Sequence, residues 1–584
     1  MTTRAVRIGN CSGFYGDRLA AAKDMVDAGG IDVLTGDYLA ELTMLILAKA
    51  QAKDPSAGYA KTFLAQVEQV LATCLERGIR IVANAGGLNP GGLAEAIREV
   101  AARQGLTVRV AHVEGDDLRE NLSAITPAVS GRPVSANAYL GGWGIAEALA
   151  AGADVVVTGR VTDASLVVGP AAWWHGWARD DWDALAGAVV AGHVIECGPQ
   201  ATGGNYSFPE EITDRRYPGF PVAEVSADGS SVITKPADTG GLVSVGTVTA
   251  QLLYEIAAPA YLGPDCTTHF DTVRLGQEGP DRVSISGVRG SAPPETLKVA
   301  LNDVGGYRNT MTLVLTGLDI EGKAARAEEL LFDVLGGRDR FAEADVRLLR
   351  FDTPDAPTNE QATAHLRVTV KHQDSRVVGR AFSNATMELA LGGYAGFHTT
   401  TPPTDASAFG IYRPAAVPRT ALTQTVVLPD GTRRTIADPP TAVAAEPVAP
   451  PSAPSAVAPP ESSPSGSAPS GPTVRAPLGR VCGARSGDKG GNANIGLWTR
   501  TDAGYAWLRD HLTPERVRDL LGPEVAELAV EVYELPNLRA LNVVVHGILG
   551  AGVASATRPD PQAKGLGEYL RSKVVEVPED LLGS

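Results

Sequence analysis

Cysteine is scarce in this chain and carries no pattern. Its five residues, Cys11, Cys74, Cys197, Cys266 and Cys482, lie far apart, are odd in number and form no CxxC pair. Neither a disulfide framework nor a cysteine-based zinc site is expected, and a reducing compartment fits. The nine histidines show no HxxxH or HExxH spacing, so a histidine metal site has no support either. No metal ligand is assigned, and no cofactor is named. Clusters of positive charge are missing as well. Against 67 acidic residues there are 51 Lys and Arg, a formal net charge of −16. Nucleic-acid binding rests largely on phosphate contacts, so that class is excluded, as is attraction to an anionic lipid surface. No charge-free apolar run reaches about 18 residues, so no membrane span is expected. The opening residues Met1 to Ile8 lack the apolar stretch of a secretory signal. A cytoplasmic protein without nucleic-acid or membrane partners is expected. The oligomeric state stays open, a homo-oligomer included.

What the chain does have is length and glycine. At 584 residues it exceeds a single core and calls for about three or four domains. The first 200 residues alternate strand and helix patterns. Each strand is followed by a polar, glycine-bearing loop. The clearest is Asn84-Ala-Gly-Gly-Leu-Asn-Pro-Gly-Gly92, between the β-branched run Ile79 to Ala83 and the helical spacing Leu93 to Gln104. Asn89 stands where an N-cap belongs and Pro90 at the first helical position. A helix N-terminus there offers free N–H groups to an anion or a polarised carbonyl. A tight loop that only turns the chain is the plainer meaning of one such motif. Comparable loops follow the other strands: Gly9 to Arg18, Thr35 to Glu41, Val113 to Asp117 and Thr158 to Ser165, with Cys197 to Tyr206 as a sixth rim element.

This alternation predicts an α/β fold with a mainly parallel sheet, doubly wound, or in the alternative barrel-like. In both, the loops gather on one edge, where ligands bind. The domains are read as 1–215, α/β with the glycine loops; 216–436, α+β and more antiparallel; 437–473, a linker rich in Pro, Ala and Ser; and 474–584. Over the last segment the order β-α-β-β-α-β predicts a ferredoxin-like sandwich, which describes a fold and implies no iron. Its loop Ala484 to Asn494 carries three glycines and three charges between strands. Arg485 and Lys489 suit a phosphate or carboxylate held in an N–H nest, or else pair with neighbouring acids in a plain hairpin.

The rim's polar residues are the site candidates. Asp37, Asn84 and Asp163 are taken as catalytic, since carboxylates near asparagines suit general acid–base work or, in the alternative, a hard divalent cation, and whether a metal is used stays open. Asp17, Arg18, Asn89, Arg160, Asn205, Arg485, Asp488, Lys489 and Asn492 are taken as substrate-binding. Asp17 alternatively caps the next helix. Glu114 and Asp116 are further rim carboxylates. Cys197 reads more readily as an inert thiol than a nucleophile. His112 and His546 at strand ends read as structural or catalytic. Trp173, Trp174 and Trp177 read as a satellite core or an apolar substrate wall.

These motifs together resemble one family. Gly9-Asn-Cys-Ser-Gly-Phe-Tyr-Gly-Asp-Arg18, Thr35-Gly-Asp-Tyr-Leu-Ala-Glu41, Asn84-Ala-Gly-Gly-Leu-Asn-Pro90 and Gly159-Arg-Val-Thr-Asp-Ala-Ser165 resemble the acyclic terpene utilisation AtuA family. Ser486-Gly-Asp-Lys-Gly-Gly-Asn-Ala-Asn494 is similar to the ferredoxin-fold domain that often follows it. The resemblance implies a place in the breakdown of citronellol- and geraniol-type terpenes through acyl-CoA intermediates. It brings no catalytic residue set. The expectation is an enzyme acting on a branched, apolar acyl-CoA or carboxylic acid by hydration, lyase or hydrolytic chemistry. The competing class is a non-catalytic subunit that holds an acyl-CoA or docks pathway enzymes.

Overall fold

A computed structural model describes residues 4–441 and 471–582. Most of the expected linker, 442–470, lies outside the described residues. The chain packs as two compact units. One is drawn from Met1–Asn302, Tyr412–Val553 and Gln562–Ser584, the other from Asp303–Ile411 and Ala554–Pro561.

The first unit is built on strands β1 (Val6–Asn10), β2 (Val33–Gly36), β3 (Arg80–Ala83), β4 (Val110–Glu114), β5 (Ser135–Ala138), β6 (Val155–Thr158), β7 (Val222–Val225) and β8 (Ser231–Thr234). Its helices are α1 (Ala21–Ala28), α2 (Glu41–Lys53), α3 (Lys61–Arg77), α4 (Pro90–Arg103), α5 (Trp143–Ala150), α6 (Ser165–His175), α7 (Trp182–Ile195) and α8 (Val245–Leu252). Five strands run parallel in the order β1-β2-β3-β6-β4. Their side chains alternate between two cores, as a period of two requires. Ile8, Val33, Val82, Ala111 and Val156 face α5, α6 and α7. Leu34, Ile81, Ala83, Val110 and Val157 face α1, α3 and α4.

The expected mainly parallel sheet needs correction, because the complete sheet is mixed. β7 and β8 extend it antiparallel from β1, followed by Arg282–Ser286 and Arg274–Gly279. On the far edge Thr425–Val427 and Arg433–Thr435 extend it antiparallel from β4. Short turns such as Ser226 to Ser230 between β7 and β8 force this direction, since a parallel partner needs a long crossover. The eleven-stranded path runs between two separate edge strands, so the barrel alternative does not apply either.

The C-terminal part of this unit is a four-stranded antiparallel sheet, Cys482–Lys489, Asn492–Thr499, Ala540–Val545 and Val530–Leu535, in that spatial order. Asp502–His511, Pro514–Leu521 and Leu566–Arg571 are its helices. The ferredoxin-like order holds with one exchange. The edge place goes to Cys482–Lys489, while Val574–Pro578 pairs with Thr473–Pro477 as a separate ribbon. The glycine-rich segment read as a loop is therefore a hairpin. Lys489 faces Asn492 across the two-residue turn Gly490-Gly491, where Gly490 has φ +63°. An N–H nest does not fit Cys482–Lys489, because the strand is extended and lacks the αR–αL backbone that a nest requires.

The second unit is α+β and covers 303–411 with 554–561, whereas the sequence pattern assigns 216–436 to such a domain. Glu343–Arg350, Thr363–His372 and residues 307–316 form an antiparallel sheet covered by helices Ile320–Val334 and Arg380–Gly392. Met311, Leu313, Leu331, Leu366, Val368 and Phe382 fill its core. Among the described residues no helix is long and apolar enough to cross a membrane.

Candidate functional site

The loops after β2, β3 and β6 bring acids and amides to one place for local reasons. Gly86 sits where a Cβ would strike the backbone of Thr158, and its N–H donates to Thr158 O at 3.0 Å. That close approach ties the ends of β3 and β6 together. Asn89 caps α4 through a bond from Gly92 N at 2.9 Å, as the sequence predicted. Its amide also donates to Ser56 O and Ala57 O, so Asn89 is spent on holding the turn.

Asn84 is wholly buried and bridges two loops. Its Nδ2 donates to Asp37 Oδ1 at 2.6 Å, and its Oδ1 accepts from Tyr38 N at 2.8 Å. Asp37 also accepts from Leu39 N. Burial pushes the Asp37 carboxyl well up, and Asp163 adds to this; Arg160 and the Asn84 bond oppose it. Arg160, 3% exposed, donates to Asp163 Oδ1 at 2.6 Å and lies 4.1 Å over the Tyr139 ring. Burial works against its charge, but Asp163, Tyr139 and Asp37 more than offset this and raise its pKa well above normal. Asp116 holds the Arg160 backbone: its Oδ2 accepts from Arg160 N and from Asn137 Nδ2, each at 2.8 Å. Burial pushes Asp116 up to about 7.

Two residues at the end of α7 complete this cluster. Every residue from Ala184 to Ile195 is buried, including His193. Glu196 follows, and burial, then Asp163 and Glu255, push its carboxyl well up; Lys489 and Arg160 act against them. His193 Nδ1 lies 3.2 Å from Glu196 Oε1, although neither ring nitrogen makes a hydrogen bond among the described residues. Burial and the Lys489 charge bring His193 down to about 4, so the ring is neutral near pH 7 and the contact is no ion pair. Cys197 stays a thiol, its pKa raised by burial and by Glu196 and Glu255.

The ferredoxin-like domain reaches this cluster through residues 253–257. Lys489 Nζ donates to Glu255 O at 2.7 Å and lies 5.3 Å from the Tyr261 ring centroid. Asn494 accepts from Glu255 N at 2.8 Å and donates to Leu253 O at 2.6 Å. Asn542 donates to Ile256 O and Ala257 O. These bonds hold Glu255 at φ +57°, a conformation costly for a residue with a side chain. Gly487 and Gly496 make room: a Cβ on either would run into Tyr254 or Leu253. Arg485 lies over the Tyr254 ring at 4.5 Å, and Lys564 at 4.3 Å.

Of the residues expected at the site, Asp37, Asn84, Arg160, Asp163 and Lys489 thus share one electrostatic cluster, with Arg485 beside it across Tyr254. Asp488 acts on Tyr254 as well. Others lie apart. Asp17 caps its own loop, accepting from Gly13 N and Arg18 N. Arg18 is exposed, paired with Asp24 and stacked on Tyr217. Asn205 is exposed in a left-handed conformation with φ +58°, and Asn492 accepts from Gly547 N. His112 contacts Glu114 at 2.8 Å, and His546 contacts Glu531 at 3.0 Å. The tryptophans are a packing group: Trp174 and Trp177 donate to Arg4 O and Ala227 O. His193, Glu196, Tyr254, Glu255 and Lys564 were not singled out from sequence. The available signal was one histidine and one glutamate closing a stretch, from Ala184 on, that is otherwise wholly apolar, the pattern of an element buried on all sides. Among the described residues no cluster of three or more His, Cys, Asp or Glu is arranged to hold a metal ion.

Fold and site define a mixed α/β protein whose strand-end acid cluster is completed by a ferredoxin-like domain clamped onto it. The chain belongs to the acyclic terpene utilisation family AtuA, whose model matches residues 6–428, and the AtuA ferredoxin-like domain model matches residues 476–576. No curated protein matches the chain.

Proposed function

We propose that the protein is an enzyme of terpenoid catabolism that moves a proton on a branched, apolar acyl-CoA or carboxylic acid, in a hydration, lyase or hydrolytic reaction. One observation carries this reading. Asp37 and Asp163, in the loops after β2 and β6, and Glu196, after α7, are acids in mutual electrostatic contact, and Arg160 and Lys489 are the cations among them. Carboxyls with raised pKa values near cations are what general acid–base chemistry at neutral pH requires. Asp37 and Glu196 are the proton carriers in this reading. Asn84 orients Asp37, and Arg160 stabilises negative charge developing on a carbonyl oxygen.

The test is to incubate the purified full chain with branched acyl-CoAs and free acids in deuterated water and follow mass. Deuterium uptake next to the carbonyl, or a product shifted by one water, is expected. Asp37→Asn and Glu196→Gln should each remove it. Tight binding with neither exchange nor product across the panel supports the non-catalytic carrier instead.

A further inference from the structure

Arg485 is 8% exposed, and its Nε is buried without a hydrogen-bond partner. Among the described residues no carboxylate pairs with it; its one strong contact is the Tyr254 ring at 4.5 Å. Every other buried arginine around the two domains is answered. Arg160 has Asp163, and Arg419 donates to Pro294 O and Pro264 O at 2.7 and 2.6 Å. A second cation stands on the same ring: Lys564 lies 4.3 Å from its centroid and donates to the Tyr254 hydroxyl. Tyr254 itself is buried, and its pKa is raised well above normal by burial, then by Glu255, so it carries no charge to answer Arg485.

A buried guanidinium N–H left unmade is costly, and a planar fork is best satisfied by a planar two-oxygen anion. From these observations we infer that Arg485, with Lys564 beside it on Tyr254, is the recognition subsite for a carboxylate group of the ligand. The inference rests on the proposed reaction and narrows its substrate class to molecules that carry a free carboxylate. A coenzyme A phosphate is disfavoured, because a bulky dianion on a long solvated arm has little access to a guanidinium that is nine-tenths buried. Arg485, Gly487 and Lys489 share one face of their strand. The residue between the two cations is glycine, and the Tyr254 ring occupies the place of its missing side chain. The strand thereby sets one cation toward the acid cluster, at Glu255, and the other on the aromatic platform. Lys489 keeps the protein's own backbone, and Arg485 is left to the ligand.

The experiment is calorimetric titration of the full chain with isovalerate, isovaleramide and coenzyme A near neutral pH. Isovalerate is expected to bind and the amide to bind at least tenfold more weakly. Arg485→Gln should weaken isovalerate at least tenfold, while Arg485→Lys, which keeps charge but loses the fork, should fall between. Tyr254→Phe keeps the ring and removes the anchor of Lys564; a smaller loss is expected. Each variant's thermal midpoint is compared with that of the parent, so that unfolding is not read as lost affinity. Equal binding of acid and amide, no isovalerate binding, or a folded Arg485→Gln variant with parental affinity overturns the inference. Coenzyme A bound tightly through Arg485 overturns it in favour of a phosphate. These outcomes are separable from the proton-transfer reading. Loss of deuterium exchange in Asp37→Asn with an Arg485-independent ligand leaves that reading standing. Arg485-dependent carboxylate binding without any exchange leaves only the subsite.

Discussion

Asn494 and Asn542 hydrogen-bond to each other at 2.7 Å, side chain to side chain, with no exposed surface on either. Four further bonds join that pair to the backbone of residues 253–257: Asn494 to Leu253 O and from Glu255 N, and Asn542 to Ile256 O and Ala257 O; Lys489 adds a fifth, in parallel, to Glu255 O. The ferredoxin-like domain is thus fastened to the first domain by polar bonds to main chain.

Asn494→Ala breaks three of those bonds and leaves a buried N–H and C=O without partners. Each such group costs about 1–3 kcal/mol, so a loss of about 3 kcal/mol in unfolding free energy is expected. Urea denaturation followed by tryptophan emission measures it. A loss below about 1 kcal/mol contradicts the clamp.

Nicking the chain tests the same clamp differently. The segment between about Ala437 and Pro472 is rich in Pro, Ala and Ser, a composition expected of a linker. Limited proteolysis should cut there first, and the two pieces should still elute as one particle. In Asn494→Ala the nicked pieces should separate on the column. Primary cleavage within β1 to β6 speaks against this division.

Asn84 is needed for folding as well as for orienting Asp37. Asn84→Ala removes the acceptor for Tyr38 N, so a loss of about 1–3 kcal/mol is expected together with any loss of function. Asn84→Asp keeps that acceptor but sets a second carboxylate against Asp37. It should preserve more stability than alanine while abolishing activity, as thermal midpoints and the exchange assay can show.

Asp116 gives a pH signature. Its folded value of about 7 lies above the ordinary carboxyl value of about 4, so the folded state holds a proton that the unfolded state has lost. Its contribution to stability is fully present below pH 4 and is lost as pH rises through 7. Asp116→Asn removes this slope. The variant's stability relative to the parent should climb between about pH 4 and 7, by on the order of 3 kcal/mol, and level off above. A difference that is flat with pH sinks the assignment.

Glu196 trades stability for chemistry in the proposed reading. Its raised pKa means that the ionised form is disfavoured in place. Glu196→Gln should therefore keep or raise the thermal midpoint, by about 1–2 kcal/mol equivalent, while deuterium exchange is lost. A variant that melts early and keeps its exchange rate assigns Glu196 to packing.

The parts of this arrangement that could be read from sequence are those set by local chemistry. Asn89 and Pro90 announce a helix start, and Asp37 and Asn84 stand directly after β-branched runs, so their place on one edge follows from chain direction. Glu196 and His193 were hidden because a lone acid after an apolar helix gives no direction. Tyr254 and Glu255 follow α8 and are hydrogen-bonded at the cluster by partners more than 200 residues away. The stretch Arg485 to Asn494 misled for a physical reason. Its glycines read as loop, whereas Gly487 is a strand residue cleared for Tyr254 and only Gly490 and Gly491 turn the chain. The mixed sheet was missed because a strand pattern does not declare which neighbour it will join.

The Gly490-Gly491 turn bears on how the polypeptide is made. The buried acids Asp37, Asp163 and Glu196 and the cation Arg160 all precede it in the sequence, whereas Lys489 lies on the hairpin that it closes. During synthesis the acid cluster therefore has Arg160 from the start and gains the Lys489 charge only once this hairpin has been made.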